Sequence, residues 1–210
     1  MYRPRHFRED NPDVLAAFIS AHPLAALVAT TPAGFVANHI PMLLTRDPEG
    51  GALLLGHIAR ANDLWKVVNH AAHVLVIFGG AQHYITPSWY PSKIATAKVV
   101  PTWNYAVAHA HGSIRFIEER DTLLSLVETL TRGQESRRVT PWAVDDAPRD
   151  FIDSMLQAII GFEIIVDRLE GKFKASQNLE EADRAGAADG LAAEGLSIAD
   201  RDEIVRGARE

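Results

Sequence analysis

The stretch LAALVATTPAGFVANHIPMLL, residues 24–44, limits the possible folds more than any other part of the chain. Its first eight residues are β-like, Pro32-Ala33-Gly34 is a turn signal, and FVANHIPMLL (35–44) returns as a second strand. Pro41 has no N–H to give to a ladder, so this strand is expected at a sheet edge or with a bulge. RDPEGG (46–51) turns the chain into a further strand, ALLLGHIA (52–59). HVLVIFGG (73–80) reads as a buried strand, with HYIT (83–86) beyond it. VPTWNYAVAHAHGSIRFIEE (100–119) alternates as one long strand or a bent pair, and GFEIIVDRLEGKFK (161–174) reads as another strand pair. Six or seven strands with short helices between them point to an antiparallel barrel, not a doubly wound parallel sheet.

The helices fill the gaps. Asn11-Pro12 reads as an N-cap with proline in the first turn, followed by Val14, Leu15, Phe18 and Ile19 at helical spacing over 11–21. A second helix is expected from Asn62-Asp63, a third is capped by Asp121 and ends near Thr131, and a fourth spans Pro148 to Ile159. Residues 179–210 read as helical and only weakly apolar. The expected fold class is α+β, mainly β, in one domain over 1–210, with 179–210 as a helical C-terminal extension packed on it.

Composition removes several function classes. No run of eighteen apolar residues exists, so no membrane span is expected. MYRPRHFRED carries charges where a signal peptide needs an apolar stretch. The absence of cysteine excludes disulfides, thiolate metal sites and a cysteine nucleophile, and a cytoplasmic protein is expected. The net charge of −6 argues against a broad basic footprint for DNA. LAAEGLSIADRDEIVRGARE (191–210) fits a helix-turn-helix template only with Asp200, Asp202, Glu203 and Glu210 set against phosphate, so it reads as a packing or dimer-contact helix.

Four segments hold the candidate chemistry. In HIARANDLWK (57–66) a strand delivers Arg60 to a small-residue corner ahead of a helix that carries Lys66. Such a corner suits a phosphate, although an ordinary Asn/Asp cap beside a surface arginine gives the same pattern. YITPSWYPSK (84–93) is too proline-broken for a helix and too aromatic for a solvated loop, so it lines a cleft or an interface. VPTWNY (100–105) offers Trp103 to stack on a planar ring and Asn104 to bond a heterocycle edge, or else a core Trp with a turn Asn. KASQN (174–178) offers an anchoring Lys174 and the hydrogen-bonding pair Ser176 and Gln177, or else caps the helix that follows. His109 and His111 share a strand face, but no third ligand stands at a recognisable spacing, so no metal is expected. Neither a Ser-His-Asp order nor a glycine-rich phosphate loop appears, which disfavours a hydrolase.

Together, MYRPRHF, NHIPMLL (38–44), GHIARAND (56–63), YITPSWYPSK, VPTWNY and KASQNLEEADRAG (174–186) resemble the PaiB family of FMN-binding negative transcriptional regulators. The blocks lie in the family's order across nearly the whole chain. The resemblance implies a split β-barrel related to pyridoxamine-phosphate oxidases, a homodimer, and FMN at the subunit interface. It implies that Arg60 and Lys66 hold the phosphate, with Asn62 in the same corner, and that Asn38, His39 and Ile40 meet the isoalloxazine edge. Trp89 and Tyr90 would wall the flavin cleft or the dimer seam with Trp103 and Asn104 opposite, while Ser88, Lys93, Ser176 and Gln177 supply polar contacts. DNA is a partner only through the regulator role. The competing readings are an FMN-dependent oxidoreductase or flavin reductase and, less favoured, a haem-binding split barrel.

Overall fold

A computed structural model describes residues 1–206 of the chain. Its strands are β1 (Arg8–Glu9), β2 (Leu24–Thr31), β3 (Gly34–Pro41), β4 (Leu43–Arg46), β5 (Ala52–Ala59), β6 (His73–Ile85), β7 (Thr102–Ile117) and β8 (Ile159–Lys174). They form an unclosed sheet in the order β3-β2-β6-β7-β8-β5-β4, with β1 added on β8. β2 and β3 pair antiparallel from Leu24↔Pro41 to Thr31↔Gly34, and the tight turn between them leaves Gly34 at a φ of 113°. β3 ends the order, where the missing N–H of Pro41 costs no ladder bond. The chain breaks at Met42, whose N–H turns to the Pro23 carbonyl at 2.8 Å.

Two compact units divide the chain. The first comprises residues 1–22, 78–109 and 169 onward; the second comprises 23–77 and 110–168. In the second unit β8 pairs with β5 from Ile159↔Ala59 to Ile165↔Leu53, whereas in the first it pairs with β1 at Gly171 and Lys172. The expected strand pair over 161–174 is therefore one strand that changes partner. DRLEGK resembles a turn because it is polar and carries a glycine, yet the backbone does not reverse: only Asp167 and Arg168 are exposed, and the buried Glu170 is paired with Arg3 at 3.2 Å. The runs 73–80 and 83–86 likewise join into β6.

The helices are α1 (Pro12–Ala21), α2 (Leu64–Val67), α3 (Ser92–Thr96), α4 (Arg120–Glu135), α5 (Arg149–Gln157), α6 (Glu181–Ala193) and α7 (Ile198–Arg206). Asn11 caps α1 by accepting the Asp13 N–H at 2.9 Å. α4 runs past Thr131 to Glu135, and its cap is Glu119 rather than Asp121. The Glu119 carboxylate accepts from the N–H groups of Asp121 and Thr122 and from the Thr122 hydroxyl at 2.6 Å. These bonds, the hydroxyl foremost, lower its pKa to about 2.

In residues 84–93 strand β6 ends at Ile85 and two short helical pieces follow. Pro87–Trp89 form a 3-10 turn whose N-cap, Thr86, accepts the Ser88 N–H at 3.2 Å, and Pro91 leads directly into α3. Each proline stands at the start of a turn, where an N–H would be unpaired in any case. The C-terminal helices belong to the core of the first unit: Ala187, Leu191 and Ile204 bury against Ile85 and Tyr90. The helix expected over 207–210, with Glu210, lies outside the described residues. In the second unit α4 and α5 bury Leu123, Leu126 and Leu156 with Ile117.

Candidate functional site

The second unit holds the Arg60 corner. β5 ends at Ala59, and the next turn is closed by the Asn62 N–H on the Ala59 carbonyl at 2.9 Å. The Arg60 guanidinium is then oriented by three acceptors: Nε on the Gln157 carbonyl at 2.9 Å, Nη1 on Glu118 Oε2 at 2.8 Å and Nη2 on the Ile159 carbonyl at 3.4 Å. It lies 5.7 Å from the Trp65 ring centre, and the indole N–H donates back to the Arg60 carbonyl at 3.1 Å. The Lys66 ammonium reaches Asp63 at 2.8 Å and approaches the same ring to 5.5 Å. α2 is a single turn, and its Leu64 N–H is already taken by Asn62 Oδ1 at 3.1 Å. Its dipole is correspondingly small, so anion binding at this corner falls to the side chains.

Asn62 also links the corner to β3, donating Nδ2 to Asn38 Oδ1 at 2.7 Å. Strand alternation separates the other two β3 candidates. Ile40 is in the core at 5% exposure, while His39, one residue earlier, faces out. A small cavity of about 240 Å³ beside Arg60 is lined by Glu118, Arg120, Asp153 and Gln157 with Leu123 and Leu156.

The first unit holds the remaining candidates, and it divides them. Trp103 and Asn104 are neighbours on β7 and so face opposite ways. Trp103 is 48% exposed, with its N–H on Gln82 at 3.3 Å and its ring 6.1 Å from Tyr84. Asn104 is fully buried. Its amide donates to the Ser176 hydroxyl at 2.9 Å and the Ile204 carbonyl at 3.1 Å, and its oxygen accepts from Ser176 at 3.1 Å. Both amide hydrogens thus tie β7 to the turn after β8 and to α7. Gln177 closes that turn, accepting the Ala175 N–H at 2.8 Å and donating to the Phe173 carbonyl. Ser176, at its apex, is left-handed with φ 62°. Ser88 is exposed and accepts from Lys93 at 3.3 Å. The Trp89 indole lies on α6, where Gly190 leaves room for it.

One cavity gathers several of the motif blocks. It measures about 420 Å³, and Tyr90, Ser92, Thr102, Asn104, Lys174, Ser176 and Asp183 give it polar walls. Burial raises the Tyr90 phenol above its usual range, the nearby Ser176 hydroxyl partly offsetting this and the Asp183 carboxylate adding to it. Burial, with the Lys172 charge, lowers Lys174. Asp183 was not among the sequence candidates: in LEEAD it looks like an ordinary first-turn acid, and nothing local signals that it is buried.

Three of the nine histidines bond to carboxylates. His22 binds Glu203 at 2.9 Å, His73 binds Asp167 at 2.8 Å and His83 binds Glu194 at 3.1 Å. His111 stacks at a tilt 6.4 Å from His73.

Residues 1–168 match a family model described as "Putative FMN-binding domain". An uncharacterized protein of Emericella nidulans is 36% identical, over 87% of this chain and 82% of its own length. The protease synthase and sporulation protein PAI 2 of Bacillus subtilis is 30% identical, over 87% of this chain and 85% of its own length. Among solved structures, a flavocytochrome of Azotobacter vinelandii superposes with a TM-score of 0.59 at 13% identity, covering 88% of this chain and 78% of that one. An FAD- and heme-binding protein of Mycobacterium smegmatis gives 0.56 at 15%, covering 90% and 80%. The fold class expected from the sequence, a mainly β split antiparallel barrel with peripheral helices, is the one shared with these flavoproteins.

Proposed function

The chain belongs to the FMN-binding domain family that its first 168 residues match, and from that membership we propose that it binds FMN with the phosphate on the Arg60 corner. Family membership carries the reading; the donor set at the corner supports it. Arg60 has five N–H donors and commits three to protein acceptors, so two remain. Lys66 adds a second cation. Both cations now pair with carboxylates, Glu118 and Asp63, in exposed bridges. Such bridges contribute about 0.2–1 kcal/mol, whereas charge-assisted hydrogen bonds to phosphate contribute roughly 1.5–3 kcal/mol. A phosphate therefore displaces the carboxylates. The two backbone carbonyls on Arg60 keep the guanidinium aimed while that exchange occurs.

The flavin, once bound, supplies hydride and electron transfer, and the protein's part is to hold and orient it. In this reading Asn38 and Asn62 fix the corner against β3, and a second copy of the chain completes the site. A role as a negative regulator of transcription follows from the PaiB resemblance and acts indirectly, through flavin state or a partner. α7 sets Asp200, Asp202 and Glu203 where a recognition helix would need cations. Absorbance titration with FMN and with riboflavin tests the phosphate assignment. FMN is expected to bind far more tightly, and equal affinities would overturn the assignment.

A further inference from the structure

The 420 Å³ cavity of the first unit lies within the size range of small-molecule sites, roughly 300–1,000 Å³, and its chemistry is one-sided. The charged side chains among its lining residues are Lys98, Lys174 and Asp183, two ammonium groups against one carboxylate, with His6 beside them. The carboxylate is directed elsewhere: Asp183 accepts the N–H of Ser92 at 3.1 Å and its hydroxyl at 2.6 Å, at the start of α3. Lys174 donates to neutral oxygens, the Thr102 hydroxyl and the Trp103 carbonyl at 2.6 Å, and packs 5.8 Å from the Phe7 ring. Among the described residues its charge is thus solvated by dipoles and paired with no carboxylate. The Tyr90 hydroxyl, on a residue only 4% exposed, lies near the Ser176 hydroxyl, but that group is engaged in both directions with Asn104, and Tyr90 has no partner in hydrogen-bonding geometry among the described residues. A buried donor left in that condition costs stability unless something accepts from it.

We propose that this cavity binds a small organic monoanion, a carboxylate carried on an apolar body, with Lys174 and the Tyr90 hydroxyl as its anchors. One extra positive charge matches one negative charge on the ligand; a dianion would overfill it. Phe7, Val99, Val100 and Leu179 provide the apolar wall that the body of the ligand needs. Its lining shares no residue with the Arg60 corner, and the proposal does not depend on the flavin reading.

The test is calorimetric titration with benzoate, benzamide, benzylammonium and inorganic phosphate, run without flavin and again at saturating FMN. Benzoate is expected to bind in both conditions, and the neutral, cationic and inorganic probes to bind at least about tenfold more weakly. Tyr90→Phe removes the hydroxyl alone and Lys174→Gln removes the charge; each is expected to weaken benzoate about tenfold or more. Because Tyr90→Phe conserves shape, it keeps the test valid if the lysine variant misfolds. Failure of benzoate to bind, preference for benzylammonium or phosphate, or unchanged affinity in Tyr90→Phe would overturn the proposal. So would release of FMN by benzoate, since the cavity would then be the flavin's own. Failure of FMN itself to bind is read separately, from the flavin spectrum.

Discussion

Trp89, which the family resemblance sets at the flavin cleft or the dimer seam, rests on the glycine face of α6, and one substitution tests that packing in depth. A Cβ built at Gly190 would lie 2.2 Å from Trp89 Cδ2, 2.3 Å from Cε2 and 2.5 Å from Cγ. Carbon atoms in contact prefer roughly 3.5–4.0 Å, so the indole must retreat by more than about 1 Å. Its backbone gives no slack, because the Trp89 carbonyl oxygen lies 2.1 Å from the Cβ position of Gly186, one turn earlier on α6. Two effects then compete in Gly190→Ala. Helix propensity favours alanine by about 0.8–1 kcal/mol. Overpacking against a side chain that cannot move freely costs about 1–3 kcal/mol, and here the upper half of that range applies. The net expectation is a loss of about 1–2 kcal/mol. In a Trp89→Ala background the clash vanishes, so the same Gly190→Ala change is expected to stabilise by about 1 kcal/mol. Urea unfolding followed by far-UV circular dichroism measures all four members of the cycle. A stabilising Gly190→Ala in the wild-type background, or the same sign in both backgrounds, would refute the reasoning.

Three further outcomes are expected. Glu118→Gln removes the carboxylate that competes for Arg60 and is expected to tighten FMN by up to about fivefold, measured by fluorescence quenching; weaker binding would count against displacement. The hydrogen bond from Glu203 raises the pKa of His22 above 6.5, aided by the charges of Glu203 and Asp200 against the opposing effect of burial. The stability it contributes is fully present below pH 6.5 and declines as pH rises through the folded-state value, so the gap between wild type and Glu203→Gln should shrink with rising pH in thermal unfolding. Glu119, lowered from 4.5 to about 2, contributes above its unfolded value, so the Tm deficit of Glu119→Ala should fade as pH drops through that window; a constant deficit would argue against the cap.

Local signals explain which parts of this architecture could be read in advance. The β2–β3 hairpin was legible because Pro32-Ala33-Gly34 and Pro41 are punctuation with direct backbone meaning. β8 was not, because the polarity of DRLEGK includes a buried Glu170 whose ion-pair partner Arg3 is distant in sequence, and a strand that changes partner leaves no mark on periodicity. Prolines 87 and 91 were read as helix breakers, although proline suits the first turn of a helix as well as it spoils the interior. The position of Arg60 just past a strand was legible because the apolar run ALLLGHIA gives way there to the small-residue corner ARAN. The partners of its guanidinium come from Glu118, Gln157 and Ile159, too distant in sequence to foresee. The separation of Trp103 from Asn104 needed only the period-two rule. The burial of Asp183 and the reciprocal bonding of Asn104 with Ser176 arise only from tertiary packing.

The most direct test of the central claim is the ratio of FMN to riboflavin affinity in the wild type and in Arg60→Ala, taken from parallel absorbance titrations. The account predicts that FMN affinity falls by roughly 1.5–3 kcal/mol in the variant while riboflavin affinity stays level, so that the ratio collapses. A ratio unchanged by the substitution would place the phosphate somewhere other than Arg60.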